Sequence, residues 1–515
     1  MTVNMDDSTR YERTGTRSLF LAGCLATLVM LAVSLVRRGA PASDPLVELA
    51  AQTALKALPT SIFSFLLESL RSFAKPLLVV GVVSGMALVG GGMALLQPSL
   101  IEVMTVRRRI VRLVSMAIGV WFPLAFFVLL AEANSETALT NQRLIGIGLS
   151  SAIDAIVFAI AVYLIYPALV GLFARQSTRV DSLDPSRRRL LIGGATALVA
   201  ISAGYLGKLV VDVRKGAIGG KRAGIPPEVT PVHQFYVVSK NVLDPDPDVD
   251  RWALHITGLV ANPMTLAYVD LAGTADVEQP TTLTCISNKI GGDLVSNGVW
   301  RGVRLVDVLT RAGVQPDAVD LALYAADGYT ESIPLARAMG EDVLLAVQLN
   351  GEPLNATHGA PARLIVPGKY GIKNVKWIEK IDLVAGDFRG YWQQRGWTED
   401  ATIQTFSRID LPSNRAVVER GAIDLGGIAY AGDRGVKAVE LSFDGGSTWR
   451  EVDEVQQIAA LSWVIWRSTW NADSAGAYRV MVRATDGNGD VQTSSRRDPI
   501  PSGATGYHAI EIGVI

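Results

Sequence analysis

The chain has 515 residues, a formal net charge of −1, only 19% charged residues and a mean hydropathy of +0.29. That length exceeds one ordinary domain, and the apolar excess, concentrated before residue 213, excludes an all-soluble protein. The near-neutral balance, with no charge run forming an electrostatic footprint, argues against a nucleic-acid partner.

Met1 to Arg17 is polar and basic, and Ser18 to Val36 is a continuous apolar run closed by Arg37 and Arg38. The run is long enough to cross a bilayer. A cleavable signal peptide is the rival reading, but no small-residue cleavage site is clearly placed and further spans follow. Between Gly39 and Lys75, Ile62, Phe63, Phe65, Leu66, Leu67 and Leu70 recur at helical spacing, an amphipathic stretch suited to the outer membrane surface. Further apolar runs cover Pro76 to Leu96, Leu113 to Ala131, Leu144 to Ala174 and, after Ser186-Arg-Arg-Arg189, Leu190 to Val211. The loops Gln97 to Arg112 and Arg175 to Arg189 carry arginine clusters, while Glu132 to Gln142 is acidic and polar. By the positive-inside rule the N-terminus is inside, and the long C-terminal half lies on the periplasmic or extracellular side.

Residues 1–212 are therefore expected to form an all-α transmembrane bundle of about five helices. Asp154 is the one carboxylate within the core of a span, where an ionisable residue is a functional candidate; a helix-packing contact is the better reading. All four histidines, His233, His255, His358 and His508, follow the last span, so the bundle lacks the usual axial ligands for haem. Two cysteines are too few for an iron–sulfur cluster, and the bundle reads as an anchor.

Residues 213–232 form a Gly-, Pro- and Lys/Arg-rich linker. In residues 233–415 the pattern is that of a soluble α+β domain. Trp252 to Val260 alternates like a strand, Val303 to Ala312 reads as a short amphipathic helix ended by Gly313, and Asp342 to Gly351 and Ala362 to Pro367 read as buried strands. Residues 416–515 change again. Ile428 to Tyr430, Val436 to Phe443, Ser462 to Thr469 and Tyr478 to Thr485 alternate between turns such as Asp444-Gly-Gly446, which predicts an immunoglobulin-like β-sandwich.

The candidate centre of chemistry is Thr281-Thr-Leu-Thr-Cys285-Ile-Ser-Asn288-Lys-Ile-Gly-Gly292, which holds the only cysteine outside the membrane region. Cys24 sits in the first span, so no disulfide partner is available. Free cysteine is among the most buried residue types, and an inert core position is one reading. A metal ligand is another; zinc is disfavoured because no second cysteine or paired histidine completes four ligands. A nucleophile paired with His358 is a third.

Several spaced segments resemble the molybdopterin domain of the sulfite oxidase family: Glu341-Asp-Val-Leu-Leu-Ala-Val-Gln-Leu-Asn-Gly-Glu-Pro-Leu354, His358-Gly-Ala-Pro-Ala-Arg363-Leu-Ile-Val-Pro-Gly368 and Val375-Lys-Trp377. Leu441-Ser-Phe-Asp-Gly-Gly-Ser-Thr-Trp449 is similar to a strand-turn-strand of that family's dimerisation domain. The resemblance covers roughly residues 230 to 515. It implies that Cys285 is a thiolate ligand of molybdenum beside the pterin dithiolene, a soft donor suited to that metal. It also implies that His358, Arg363 and Lys376 contact the pterin, that Lys373 and Asn374 lie in the phosphate loop, and that Lys240 and Asn241 match the family's Arg-Asn pair. Tyr329 matches a tyrosine over the metal's oxo face, where a phenol exchanges protons, and Arg434 matches an arginine reaching the substrate from the second domain.

Departures bear on substrate. Lys240 and Ile290 stand where sulfite oxidases place arginines for an oxyanion, and Gly291 to Val299 is short and lacks the pocket tryptophan. Pro367-Gly-Lys-Tyr-Gly-Ile-Lys373 is more similar to the loop of periplasmic methionine sulfoxide reductases. Ser186-Arg-Arg-Arg-Leu-Leu191 resembles a twin-arginine export signal, with ordinary positive-inside arginine as the equal alternative. The combined expectation is a membrane-anchored molybdopterin oxidoreductase catalysing two-electron oxygen-atom transfer on a small-molecule substrate. It would exchange electrons with a separate redox protein or carrier and dimerise through the last domain. The alternatives are a reductase of sulfoxides or N-oxides and a cofactor-free, membrane-tethered interaction module.

Overall fold

The computed structural model describes residues 5–37, 45–57, 74–96, 106–133, 141–173, 193, 196–197, 199–204, 206–208, 224–241 and 244–515. The chain divides into two compact units, Met1–Ala217 with Lys240–Leu243, and Ile218–Ser239 with Asp244–Ile515.

The first unit contains helices α1 (Met5–Val36), α2 (Leu46–Ala57), α3 (Ala74–Leu95), α4 (Val106–Ala133) and α5 (Asn141–Phe173). Four segments among the described residues, Thr16–Val36, Pro76–Leu95, Ile110–Leu130 and Leu144–Val170, are long and apolar enough to cross a membrane. The amphipathic positions Ile62 to Leu70 and the arginines before the fifth run lie outside the described residues. Of Leu190 to Val211 itself, only scattered helical positions are described.

Helix α1 packs on α3 and α5, and α4 packs on α5. Small residues permit the α1–α3 approach, the usual device where lipid supplies no hydrophobic drive between helices. A Cβ at Gly90 would lie 1.9 Å from Thr27 Oγ1, and one at Gly23 would lie 2.4 Å from the Gly90 carbonyl oxygen. Leu88, Phe122, Phe126 and Leu149 project outward from the bundle, as a lipid-facing surface requires. Asp154 is 1% exposed and forms an ion pair with Arg37, which also donates to Ser150 Oγ at 3.2 Å. The carboxylate expected within a span is thus a contact between α5 and the end of α1.

The second unit begins with two sheets. One runs in spatial order Met264–Ala267, Ala253–Gly258, Ile378–Val384, Asp320–Ala325, Thr330–Pro334. Its Ala253–Gly258 and Ile378–Val384 strands are parallel and the other neighbours antiparallel. The other places Val277–Thr284 beside Val295–Arg304, then Leu344–Leu349, which also pairs with Glu352–Pro353 and Arg363–Ile365. Helix Leu305–Ala312 buries Leu305, Val308, Leu309 and Ala312 on one stripe against this core. It starts two residues later than its apolar pattern because Val303 and Arg304 remain paired with Leu345 and Leu344. Gly313, at φ 68°, caps it by donating to the Leu309 and Thr310 carbonyls.

The last part is a β-sandwich. One sheet orders Phe406–Leu411, Gly421–Tyr430, Val464–Ala472 and Glu454–Gln456; the other orders Val417–Val418, His508–Val514, Gly476–Asp486, Val436–Ser442 and Arg450–Glu451. Ile409, Leu425, Trp466, Val439, Val480 and Ile510 are among the side chains filling the space between them. The strand Phe406–Leu411 belongs to this sandwich although it precedes residue 416.

Candidate active site

Cys285 follows the strand Val277–Thr284, whose last residue pairs with Val295, so residues 285–294 form the loop of a hairpin. The Cys285 amide donates to the Leu294 carbonyl at 3.0 Å, and Asn288 braces the loop by accepting from the Leu294 amide at 3.0 Å. Cys285 is 7% exposed, with Sγ 3.0 Å from Ser287 Oγ. Burial pushes its thiol above the ordinary value. Among the described residues no group of three or more His, Cys, Asp or Glu side chains converges.

A single 3-10 turn, Gly371–Lys373, backs this loop. A Cβ at Gly371 would lie 2.9 Å from Tyr236 Oη and 3.9 Å from Cys285 Cα. Beyond the turn, Asn374 ties the segment together. Its amide donates to the Lys369 and Tyr370 carbonyls, and its Oδ1 accepts from Val366 N at 2.8 Å.

Arg363 is 6% exposed and forms no ion pair with a carboxylate among the described residues. Its Nη1 and Nη2 donate to the His358 and Asn374 carbonyls, each at 3.1 Å, its plane lies 5.0 Å from the Trp300 ring, and its buried Nε makes no hydrogen bond. Burial lowers this guanidinium from 12.5 to about 10. His358 donates from Nε2 to the Val232 carbonyl at 3.1 Å, which leaves Nδ1 as an acceptor. Burial, then Arg363, lowers His358 to about 4, so the ring is neutral at neutral pH. Lys376 packs against Gly359, donates to the Thr357 carbonyl at 3.2 Å and sits 4.0 Å over the Trp377 ring. His358, Arg363, Asn374 and Lys376 are therefore brought together.

Tyr329 Oη lies 2.9 Å from both Glu331 Oε2 and the Ile372 carbonyl. Burial, then the Glu331 charge, holds its phenol well above the ordinary value. Lys373 is directed at Glu331, with Nζ 2.8 Å from Oε1 and 2.8 Å from the Ser332 carbonyl. Arg434 belongs to the turn Gly432–Arg434, which lies against Gly368 of the Pro367–Lys373 loop. Its guanidinium is engaged by Asp486 Oδ2 at 2.8 Å, the Ile403 carbonyl and Thr405 Oγ1. Lys240 donates to Asn241 Oδ1 at 2.8 Å; residues 240–243 belong to the first unit.

Residues that the sequence reading passed over also stand here. Tyr236 directs its hydroxyl toward Gly371 and interacts electrostatically with Cys285 and Arg363. Glu331 lies two residues after Tyr329, and the period of a strand would have placed both on one face. Arg408 comes from the sandwich, donates to the Gly292 carbonyl at 2.6 Å and pairs with Asp410 at 2.7 Å. It borders a small cleft shared with Ile290, Gly291, Tyr370, Phe406 and Gly506. His508 packs on Gly291 and accepts from the Ile409 amide at 3.0 Å. No local pattern marks Arg408 or His508.

Residues 241–392 match the oxidoreductase molybdopterin binding domain, and residues 398–512 match the Mo-co oxidoreductase dimerisation domain. Sulfite oxidase of Arabidopsis thaliana is 28% identical over 51% of this chain and 82% of that protein. The mitochondrial sulfite oxidase of Homo sapiens is 30% identical over 47% of this chain, which spans only 54% of the human protein's length. The uncharacterized oxidoreductase YuiH of Bacillus subtilis (strain 168) is 32% identical over 34% of this chain and 85% of that protein. These matches set aside the cofactor-free interaction module: the chain belongs to the sulfite oxidase family of molybdopterin-dependent oxidoreductases.

Proposed function

We propose that this is a membrane-anchored enzyme catalysing two-electron oxygen-atom transfer at a Cys285-ligated molybdenum centre, with its catalytic part on the periplasmic or extracellular side. The observation that carries the reading is Arg363, a buried guanidinium with no carboxylate partner among the described residues and an Nε without a hydrogen bond, on a segment that also holds Gly371 against Cys285. A buried cation without an anion is costly, and an anionic pterin phosphate is the partner that would relieve it. The donor set fits: one soft sulfur for the metal and cationic or backbone donors for an anion.

When bound, the molybdenum–pterin group supplies the two-electron redox chemistry and the oxygen exchange. The chain's own residues do the rest. His358, Arg363, Lys376 and Asn374 hold or brace the pterin. Asn288 keeps the Cys285 loop closed so that the sulfur is presented at a fixed position. Tyr329 offers a phenol for proton exchange, and Arg434 orients the turn facing the substrate side. The last domain is the surface for a homodimer, and electrons pass to or from a separate carrier protein.

A second reading, reduction of sulfoxides or N-oxides, draws support from charge. Arg408 is paired with Asp410 and Arg434 with Asp486, while Ile290 is apolar. An oxyanion would gain little from guanidinia already paired, whereas a neutral sulfoxide needs none.

Molybdenum and pterin are to be measured in the full-length protein beside Cys285→Ser made in the same host. The expected result is near one molybdenum per chain in the wild type with loss of activity in the variant. Sulfite with ferricyanide, against methionine sulfoxide with a reduced viologen, then distinguishes the two directions. A wild type free of both metal and pterin, in a host that makes the cofactor, refutes the reading.

A further inference from the structure

The turn Gly371–Lys373 joins two sites that the mechanism so far treats separately. Gly371 abuts Cys285, the Ile372 carbonyl meets the Tyr329 hydroxyl, and the Lys373 ammonium meets Glu331. Glu331 is 0% exposed, yet its carboxylate is ringed by donors: Tyr329 Oη at 2.9 Å, Lys373 Nζ at 2.8 Å, the Ser332 amide at 2.9 Å and Gln393 Nε2 at 3.1 Å. The segment from Gly390 closes over it, since a Cβ at Gly390 would come within 2.6 Å of Glu331 Cα. Two flanking buried atoms, Thr330 Oγ1 and Gln393 Oε1, have no hydrogen-bond partner. A fold brace is normally satisfied throughout; a cluster with spare donors and acceptors is one that can change its hydrogen-bond pattern.

We propose that Glu331 is a positioning residue that acts through Tyr329, receiving the phenol proton at Oε2 and returning it, with Lys373 anchoring the carboxylate at Oε1. This rests on the proposed oxygen-atom transfer. In the oxidative direction, water gives its oxygen to substrate, two electrons leave through the cofactor to the external electron carrier, and two protons must leave a buried site. One of them is stored on this pair, passing to Tyr329 Oη as the phenol's own proton moves to Glu331 Oε2, and leaves by the reverse hop to solvent water once the product has departed. The reductive direction runs the same transfers in reverse. No bond other than O–H is made or broken at these side chains. Lys373 then serves the site through Glu331.

The test uses the cofactor-loaded full chain in detergent and needs no substrate. Visible absorption is recorded against pH, from about 5 to 10, for the wild type, Glu331→Gln, Tyr329→Phe and Glu331→Gln/Tyr329→Phe. Glu331→Gln/Lys373→Gln, which removes both charges together, guards against misfolding. The expected result is a titration step in the wild type that moves by about one unit or more in both variants carrying Gln at 331 with Tyr329 retained. With Phe at 329, Glu331→Gln should add nothing. A shift of equal size in the Tyr329→Phe background, or no step or shift at all, overturns the proposal. Molybdenum content of the same samples separates causes. Full metal with an unshifted step refutes this inference alone, whereas a metal-free wild type refutes the proposed function and this inference with it.

Discussion

Replacing Arg363 by Met tests whether the site is built around an absent anion. In the cofactor-free chain the guanidinium is charged at neutral pH in both folded and unfolded states, but burial lowers its folded value from 12.5 to about 10. That depression costs about 3 kcal/mol at every pH below about 10, and it is relieved only as pH rises from 10 toward 12.5. Met removes that cost while keeping much of the side-chain volume over Trp300. Against this, the carbonyls of His358 and Asn374 lose charge-assisted donors worth about 1.5–3 kcal/mol each. The two bonds together are worth about 3–6 kcal/mol, so cofactor-free Arg363→Met should lie between level with the cofactor-free wild type and about 3 kcal/mol less stable, a few degrees in melting temperature. Loaded protein should behave differently, with pterin content lost and the stabilisation on loading abolished. The assay is the thermal transition of the full chain in detergent, prepared from hosts with and without cofactor synthesis, alongside pterin analysis. If the cofactor-free variant instead melts about 10 °C lower, and normal pterin content persists, Arg363 is an ordinary structural brace and the reasoning fails.

The Lys373–Glu331 pair is buried on both sides, 3% and 0% exposed, so Lys373→Met alone should cost about 3–5 kcal/mol by stranding the carboxylate. Glu331→Gln/Lys373→Met should recover most of that in the same melting assay. Gly90→Val should weaken the α1–α3 contact by about 1–3 kcal/mol, because its Cβ would overlap Thr27 Oγ1; lower melting or yield in detergent reads this out. His508, lowered from 6.5 to about 4 by burial and then by Arg408, favours the neutral ring in the folded state. Its contribution is present above pH 6.5 and is lost as pH falls toward 4, so His508→Gln should flatten the acid limb of stability between those values, seen as a smaller change in melting temperature with pH.

The long apolar helices, the cysteine loop and most strands were legible because each has a local cause. A run of about 20 apolar residues has few places to go but lipid or a core, Asp342 to Gly351 is a short apolar run ending in a turn, and Tyr478 to Thr485 carries its strand period in the chain itself. Helix Leu305–Ala312 and its Gly313 stop were readable for the same reason. The segments that matched the family also place His358, Arg363, Asn374 and Lys376 in one stretch of chain, so their meeting required only that this stretch turn back on itself.

Other features depended on residues far apart in sequence. Whether Val303 and Arg304 join the helix or the strand was settled by pairing with Leu344 and Leu345, some forty positions on, and Phe406–Leu411 became a sandwich strand by pairing with Gly421–Tyr430. Arg408 reaches Gly292 across 116 positions, and Asp154 meets Arg37 across 117. The sequence by itself determined which residues carry charge, sulfur and apolar bulk, and hence the helices apolar enough to cross a membrane, the family and the one cysteine that follows them. Only tertiary structure decided which charges cancel, that Lys373 answers Glu331, that Arg434 answers Asp486, and that no carboxylate among the described residues answers Arg363. Whether a cation is balanced depends on what folding brings within a few ångströms of it, and composition holds no record of that.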